Sequence, residues 1–167
     1  MKEINIEERI SLATAFDMED IIERYMKDYD APLNVGKEHA RELIRYLILC
    51  AIDPKKKYGM RGPVDDVWHT FLLFTYEYRQ FCGLIAGRFI HHKPETRKRP
   101  PDKESYRNTF RDYEKYFGEQ PPLSIWPAPI EVAGACSSSC NSCGGGCSAC
   151  AGGCTGCTNC GSDCDNQ

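Results

Sequence analysis

Every aromatic side chain of this chain lies before residue 127: two tryptophans, nine tyrosines and seven phenylalanines. From Ala133 to Gln167 there is no large apolar residue at all. This asymmetry restricts the fold more than any motif does. A segment without large apolar side chains cannot bury enough surface to offset the entropy of ordering itself. A hydrophobic core must therefore come from residues 1–130, which carry enough apolar bulk for one. The expected organisation is a helical domain over 1–130 and a disordered, low-complexity Cys/Gly-rich tail over 131–167.

Charge and hydropathy narrow the function classes. The formal charge is −3, and Asp163 and Asp165 of the tail carry two of the negatives. No basic field suggests a nucleic-acid partner. The short basic runs, Lys55-Lys56-Lys57 and Lys93 through Lys103, read as solvated loops. The N-terminus, MKEINIEERI, lacks the apolar stretch of a secretory signal. No window approaches the ~18 apolar residues of a membrane span. A cytoplasmic location follows as the expectation. Thiols stay reduced there, so clustered cysteines point to metal or redox chemistry before a disulfide framework.

Apolar periodicity predicts an all-α bundle of four or five helices. Ile4, Ile6, Ile10 and Ala13 suggest a short first helix. Asp17 can cap a second, with Phe16 stapling onto Ile21, and Ala31-Pro32 ends it. Asn34 can cap a third, whose stripe is Ala40, Leu43, Ile44, Leu47, Ile48 and Ala51, with Asp53-Pro54 as the stop. Gly62-Pro63 opens a fourth helix that runs to about Ala86, with Asp65 and Asp66 in its first turn. Its VWHTFLLF run is apolar almost all round, which predicts the buried centre of the bundle. After a basic connection, Pro101 and Asp102 start a helix with Tyr106, Phe110, Tyr113 and Phe117 on its inner stripe. The four prolines of EQPPLSIWPAPIEV predict an extended strap, held by Leu123, Ile125 and Trp126.

His69 sits inside the most apolar run, and a buried imidazole needs hydrogen-bond partners. Asp65 lies one helical turn earlier on the same face. His91 and His92 follow the end of that helix, and Cys82 lies on it. Three readings are open. In one, Asp65 and His69 form a structural bond that holds the Gly62 loop. In the second, His69 and His92 converge on zinc or iron with Asp65 or Cys82. In the third, an Asp–His pair acts as a general base, with Cys82 as a nucleophile.

The stretch VDDVWHTFLLFTYEYRQFCGLIAGRFIHHKP, Val64 to Pro94, resembles the signature of the glycine-rich domain-containing protein-like family. Its bacterial members carry VD-x-VWH, FTYEY-like and FC residues, and a GRFIHH-x-P end. YRNTFRDYEKYFGEQPPLSIWP is similar to them too, so the resemblance spans roughly residues 30 to 127. It implies importance for Asp65, Trp68, His69 and His92, with Cys82 and His91 more bacterial in character. It also implies a Gly- and Cys-rich tail, and it carries no established enzymatic activity. Plant members are linked to stress responses and can bear an RNA-binding domain, which this chain lacks.

The tail's thiols are regularly spaced: Cys136, Cys140, Cys143, Cys147, Cys150, Cys154, Cys157, Cys160 and Cys164. Steps of three and four would line one face of a helix, but the glycines between them favour a flexible chain that wraps. Thiolates at this spacing chelate soft tetrahedral ions, so zinc or Cu(I) is the expected cofactor. The expected function is non-enzymatic metal binding through the tail, with Asp65, His69 and His92 as a second site and metal ions as the partner. Two alternatives stay open. One is a precursor whose tail is excised and modified, the helical domain being its leader and VAGAC its processing site. The other is an enzyme with an Asp–His site.

Overall fold

Local signals place most helix ends in a computed structural model of the chain, which describes residues 5–94, 96–98 and 100–129. These residues belong to one unit, Met1–Val132. Among them are six helices and no strand: α1 (Ile6–Thr14), α2 (Glu19–Tyr29), α3 (Leu33–Ile52), α4 (Pro63–Leu73), α5 (Thr75–Ala86) and α6 (Lys103–Phe117). The side chain of Asn5 accepts from the Glu8 amide at 2.8 Å, that of Asp17 from Glu19 at 2.9 Å, and that of Asp102 from Glu104 at 3.1 Å. Each satisfies an otherwise orphaned amide of a first turn. Gly87 and Gly118 close α5 and α6 in the left-handed conformation, and Asp30 does so for α2. Asn34 does not cap α3. Pro32 holds the cap position with an extended backbone (φ −63°, ψ 154°), which leaves Asn34 inside the first turn. The pyrrolidine ring presets φ there, and no side chain caps this helix.

The centre of the bundle is α3, which packs against each of the other five helices. Its predicted stripe is buried at Ala40, Leu43, Leu47, Ile48 and Ala51. The expected central helix from Pro63 to Ala86 is instead two helices. Phe74 (φ −88°, ψ 66°) ends α4 and begins α5. Its amide turns back to the Phe71 carbonyl at 3.0 Å, and its own carbonyl accepts from Tyr78 at 2.8 Å. A straight helix over this stretch would be about 36 Å long, against about 30 Å for α3. The break lets Val64, Val67, Trp68 and Phe71 of α4, and Tyr78, Phe81, Cys82 and Ile85 of α5, all reach the core. It leaves Leu73 and Tyr76 exposed beside the bend. An apolar run thus ends up burying one stripe of each half.

The Pro-rich strap is not extended throughout. The amides of Ile125 and Trp126 both bond the Pro122 carbonyl, at 2.9 and 2.8 Å. That turn sends Leu123 to solvent and buries Ile125 and Trp126. The Trp126 indole N–H donates to the fully buried Glu42 at 2.9 Å, and the Tyr113 hydroxyl donates to the same oxygen at 2.8 Å. Arg41 and Arg45 each approach the other Glu42 oxygen at 3.4 Å. Arg45 also bonds Tyr113 and reaches Glu119 at 2.6 Å. A buried carboxylate is tolerable only when paired and hydrogen-bonded in this way.

The Lys55–Lys57 run is not purely solvated. Lys56 grips the buried Asp112 at 2.8 and 2.7 Å, and the Tyr58 hydroxyl donates to it at 2.6 Å. The nine tail cysteines and the predicted disorder of the tail lie outside the described residues.

Candidate metal centre

Asp65 stands in the first turn of α4, behind the Gly62-Pro63 start, and His69 is one turn further on. His92 comes from the segment after α5, 27 residues from Asp65. Two parts of the fold, α4 and the segment after α5, thus meet at one point. His92 Nε2 lies 2.9 Å from Asp65 Oδ1, and His69 Nδ1 lies 3.7 Å from Asp65 Oδ2, beyond hydrogen-bond range. The two imidazoles face each other at 4.5 Å between centroids. One donor atom from each of the three residues falls within 4.8 Å of the others. A tetrahedral zinc with bonds of about 2.0–2.1 Å needs donor separations of about 3.4 Å.

Burial is the reverse of the sequence expectation. His69 is exposed, at 47 %, and His92 is the shielded ring, at 10 %. The reason is the bundle's geometry: α4 turns Val67, Trp68 and Phe71 inward, and position 69 falls on the outer side. His92 packs edge-on against Trp68 at 4.4 Å between centroids. Trp68 is itself tied down. Its indole N–H donates to the Tyr78 hydroxyl at 3.0 Å, and Tyr78 donates to the Ile90 carbonyl at 2.5 Å. Tyr78 therefore holds both the ring behind His92 and the backbone two residues before it. Sequence reasoning missed this clamp, because nothing in the spacing of Trp68, Tyr78 and Ile90 marks them as bonded.

The His92 hydrogen bond holds the Asp65 carboxyl below its usual range, against the upward push of burial, and the charges of His69 and His92 act in the same direction as that bond. An ionised carboxylate only accepts, so His92 carries its proton on Nε2. An ion bound through Nε2 would require this proton to move to Nδ1.

The two other nominated residues are not part of this cluster. The Cys82 thiol is buried in the core on α5. Burial pushes its pKa up, the wrong direction for a nucleophile or a ready metal ligand. His91 is exposed and packs on Phe89 at 4.9 Å. Among the described residues, Asp65, His69 and His92 form the one group of three His, Cys, Asp or Glu side chains placed to hold a metal ion. No helix is long and apolar enough to cross a membrane, again among the described residues.

Comparison with known proteins gives one result. No curated protein matches the chain. No solved structure matches it either. A family model does match, over residues 9–115, which is more than half of the chain. That span holds Asp65, His69 and His92 and stops short of the strap and the tail. The chain belongs to the UCP032817-like family.

Proposed function

We propose that this is a non-enzymatic metal-binding protein, with Asp65, His69 and His92 holding a zinc-class divalent ion on the helical domain. The observation that carries this reading is the convergence of their donor atoms within 4.8 Å. A purely structural Asp65–His92 bond explains the 2.9 Å contact. It does not explain a second imidazole, exposed and unneeded for packing, beside the same carboxylate. Imidazole nitrogen and carboxylate oxygen are the donors that zinc accepts outside thiolate sites.

The nine thiols from Cys136 to Cys164 are the second part of the reading. They supply soft donors for zinc or Cu(I), which requires the reducing interior of the cell.

The test is metal content. The full chain is purified anaerobically, its metal is measured by mass spectrometry, and zinc is titrated into the stripped protein. The same is done with the double variant His69→Asn, His92→Asn. The expected result is one zinc fewer per chain in the variant. Equal stoichiometry assigns all metal to the thiols and removes the helical site. A wild-type chain that takes up neither Zn(II) nor Cu(I) overturns the whole reading.

A further inference from the structure

We propose that the Asp65–His69–His92 centre is an open one: its metal keeps a solvent-facing coordination position for an exogenous small anionic oxygen or nitrogen donor. The inference rests on the metal reading above and adds what the bound ion does.

Three observations carry it. First, the described residues supply three donors and no fourth. The sequence-nominated thiol Cys82 is buried in the core and is not one of the group. Structural zinc sites are closed by four protein ligands, whereas three leave a position for water or another ligand.

Second, the donors are unequally buried. His92 is 10 % exposed and backed by Trp68, while His69 and Asp65 are 47 % and 39 % exposed. An ion held by all three has protein on the His92 side and water on the other. The vacant tetrahedral position therefore points outward, where a small molecule reaches it without any movement of the bundle.

Third, the charge is right for an anion. Two neutral imidazoles and one carboxylate leave a divalent ion with a net charge of +1. Hydroxide, a carboxylate or azide each meets that charge and fits one position; a hydroxamate, which chelates through two oxygens, would raise the coordination number.

The experiment uses Co(II), whose visible bands report coordination. The full-length chain carries Ser at all nine tail cysteines, Cys136 through Cys164, so that cobalt reports the helical site alone. A second sample is the wild-type chain with its accessible thiols alkylated, in case the multiple variant folds poorly. Azide and then acetohydroxamate are titrated into the cobalt protein. The expected result is a band shift that saturates at one anion per cobalt. Cobalt bands that form and stay unmoved by both anions overturn the open position while leaving the metal site intact. Absence of any cobalt band in both samples overturns the metal reading itself, and this inference with it.

Discussion

The indole of Trp126 donates to the carboxylate of Glu42, 84 residues earlier, at 2.9 Å, and both side chains are fully buried. This bond fastens the Pro-rich strap to the middle of α3. Tyr113 from α6 shares the same oxygen. Burial, and then the Glu42 carboxylate, push the Tyr113 pKa up, so the hydroxyl keeps its proton and stays a donor. Replacing Glu42 by Ala strands two buried donors and leaves Arg45 without that acceptor. The expected loss is about 3 kcal/mol of unfolding free energy. Glu42→Gln, which still accepts, is expected to lose less. Urea denaturation reads both, and an alanine variant within 0.5 kcal/mol (about the scatter of such measurements) of wild type would discard the anchor.

Gly62 precedes α4 with φ 73° and ψ −158°, and a Cβ there would meet the Ile125 carbonyl oxygen at 2.9 Å. That backbone region is essentially closed to other residues, at a cost of about 1–3 kcal/mol. Gly62→Ala is expected to lose at least that much, since the strap must also move. Gly83 lies within α5 with open space around it. Gly83→Ala is expected to gain roughly 0.5–1 kcal/mol from helix propensity. The two variants should move Tm in opposite directions in calorimetry; a shift of the same sign would contradict this account.

Two carboxyl groups predict how stability responds to acid. Burial pushes the Asp112 pKa up, but the bonds from Lys56 and Tyr58 and the Lys56 charge win and lower it. The Asp65 pKa is lowered chiefly by His92. A group whose folded pKa is depressed contributes stability above its unfolded value, near pH 4, and loses it as pH falls through the folded value. The metal-free chain is therefore expected to lose stability below about pH 4. Asp112→Asn should flatten that fall while lowering stability at neutral pH. An unchanged acid limb in the variant would show that the Lys56–Asp112 pair is not responsible.

Tyr78→Phe tests the clamp behind His92. The variant keeps the ring but removes the hydroxyl that links Trp68 to the Ile90 carbonyl. Both partners are then left without that bond in the interior, which costs about 1–3 kcal/mol. Loss of such support around a metal ligand lowers affinity about tenfold or more. The expected result is weaker Co(II) binding together with a lower Tm. Unchanged affinity with lowered stability would make Tyr78 a packing residue alone.

Burial also separates the cysteines by reactivity. The Cys50 thiol is pushed up to about 12 by burial, and Cys82 is raised by the same cause. Thiolate is the reactive form. Native alkylation at pH 8 followed by peptide mapping is expected to leave Cys50 and Cys82 unmodified until the chain is denatured. Rapid labelling would contradict the burial of Cys82 and the packing of the partly buried Cys50 against the core.

The sequence by itself determined the helical class, the helix starts at Pro63 and Asp102 and, to within a residue, at Asp17, and the stops at Gly87 and Gly118. Those signals act within about one turn, through a cap, a proline or a left-handed glycine. It also placed Asp65, His69 and His92 on one short list, since Asp65 and His69 share a helix face. Tertiary structure alone decided the rest. The bend at Phe74 has no proline or glycine to announce it, because it serves the reach of two helices toward α3. Which histidine is shielded depends on the Trp68–Tyr78–Ile90 clamp. Glu42 reads as a surface acid on a helix until Tyr113 and Trp126, 71 and 84 residues away, arrive to satisfy it. Those outcomes depend on partners that no local window contains.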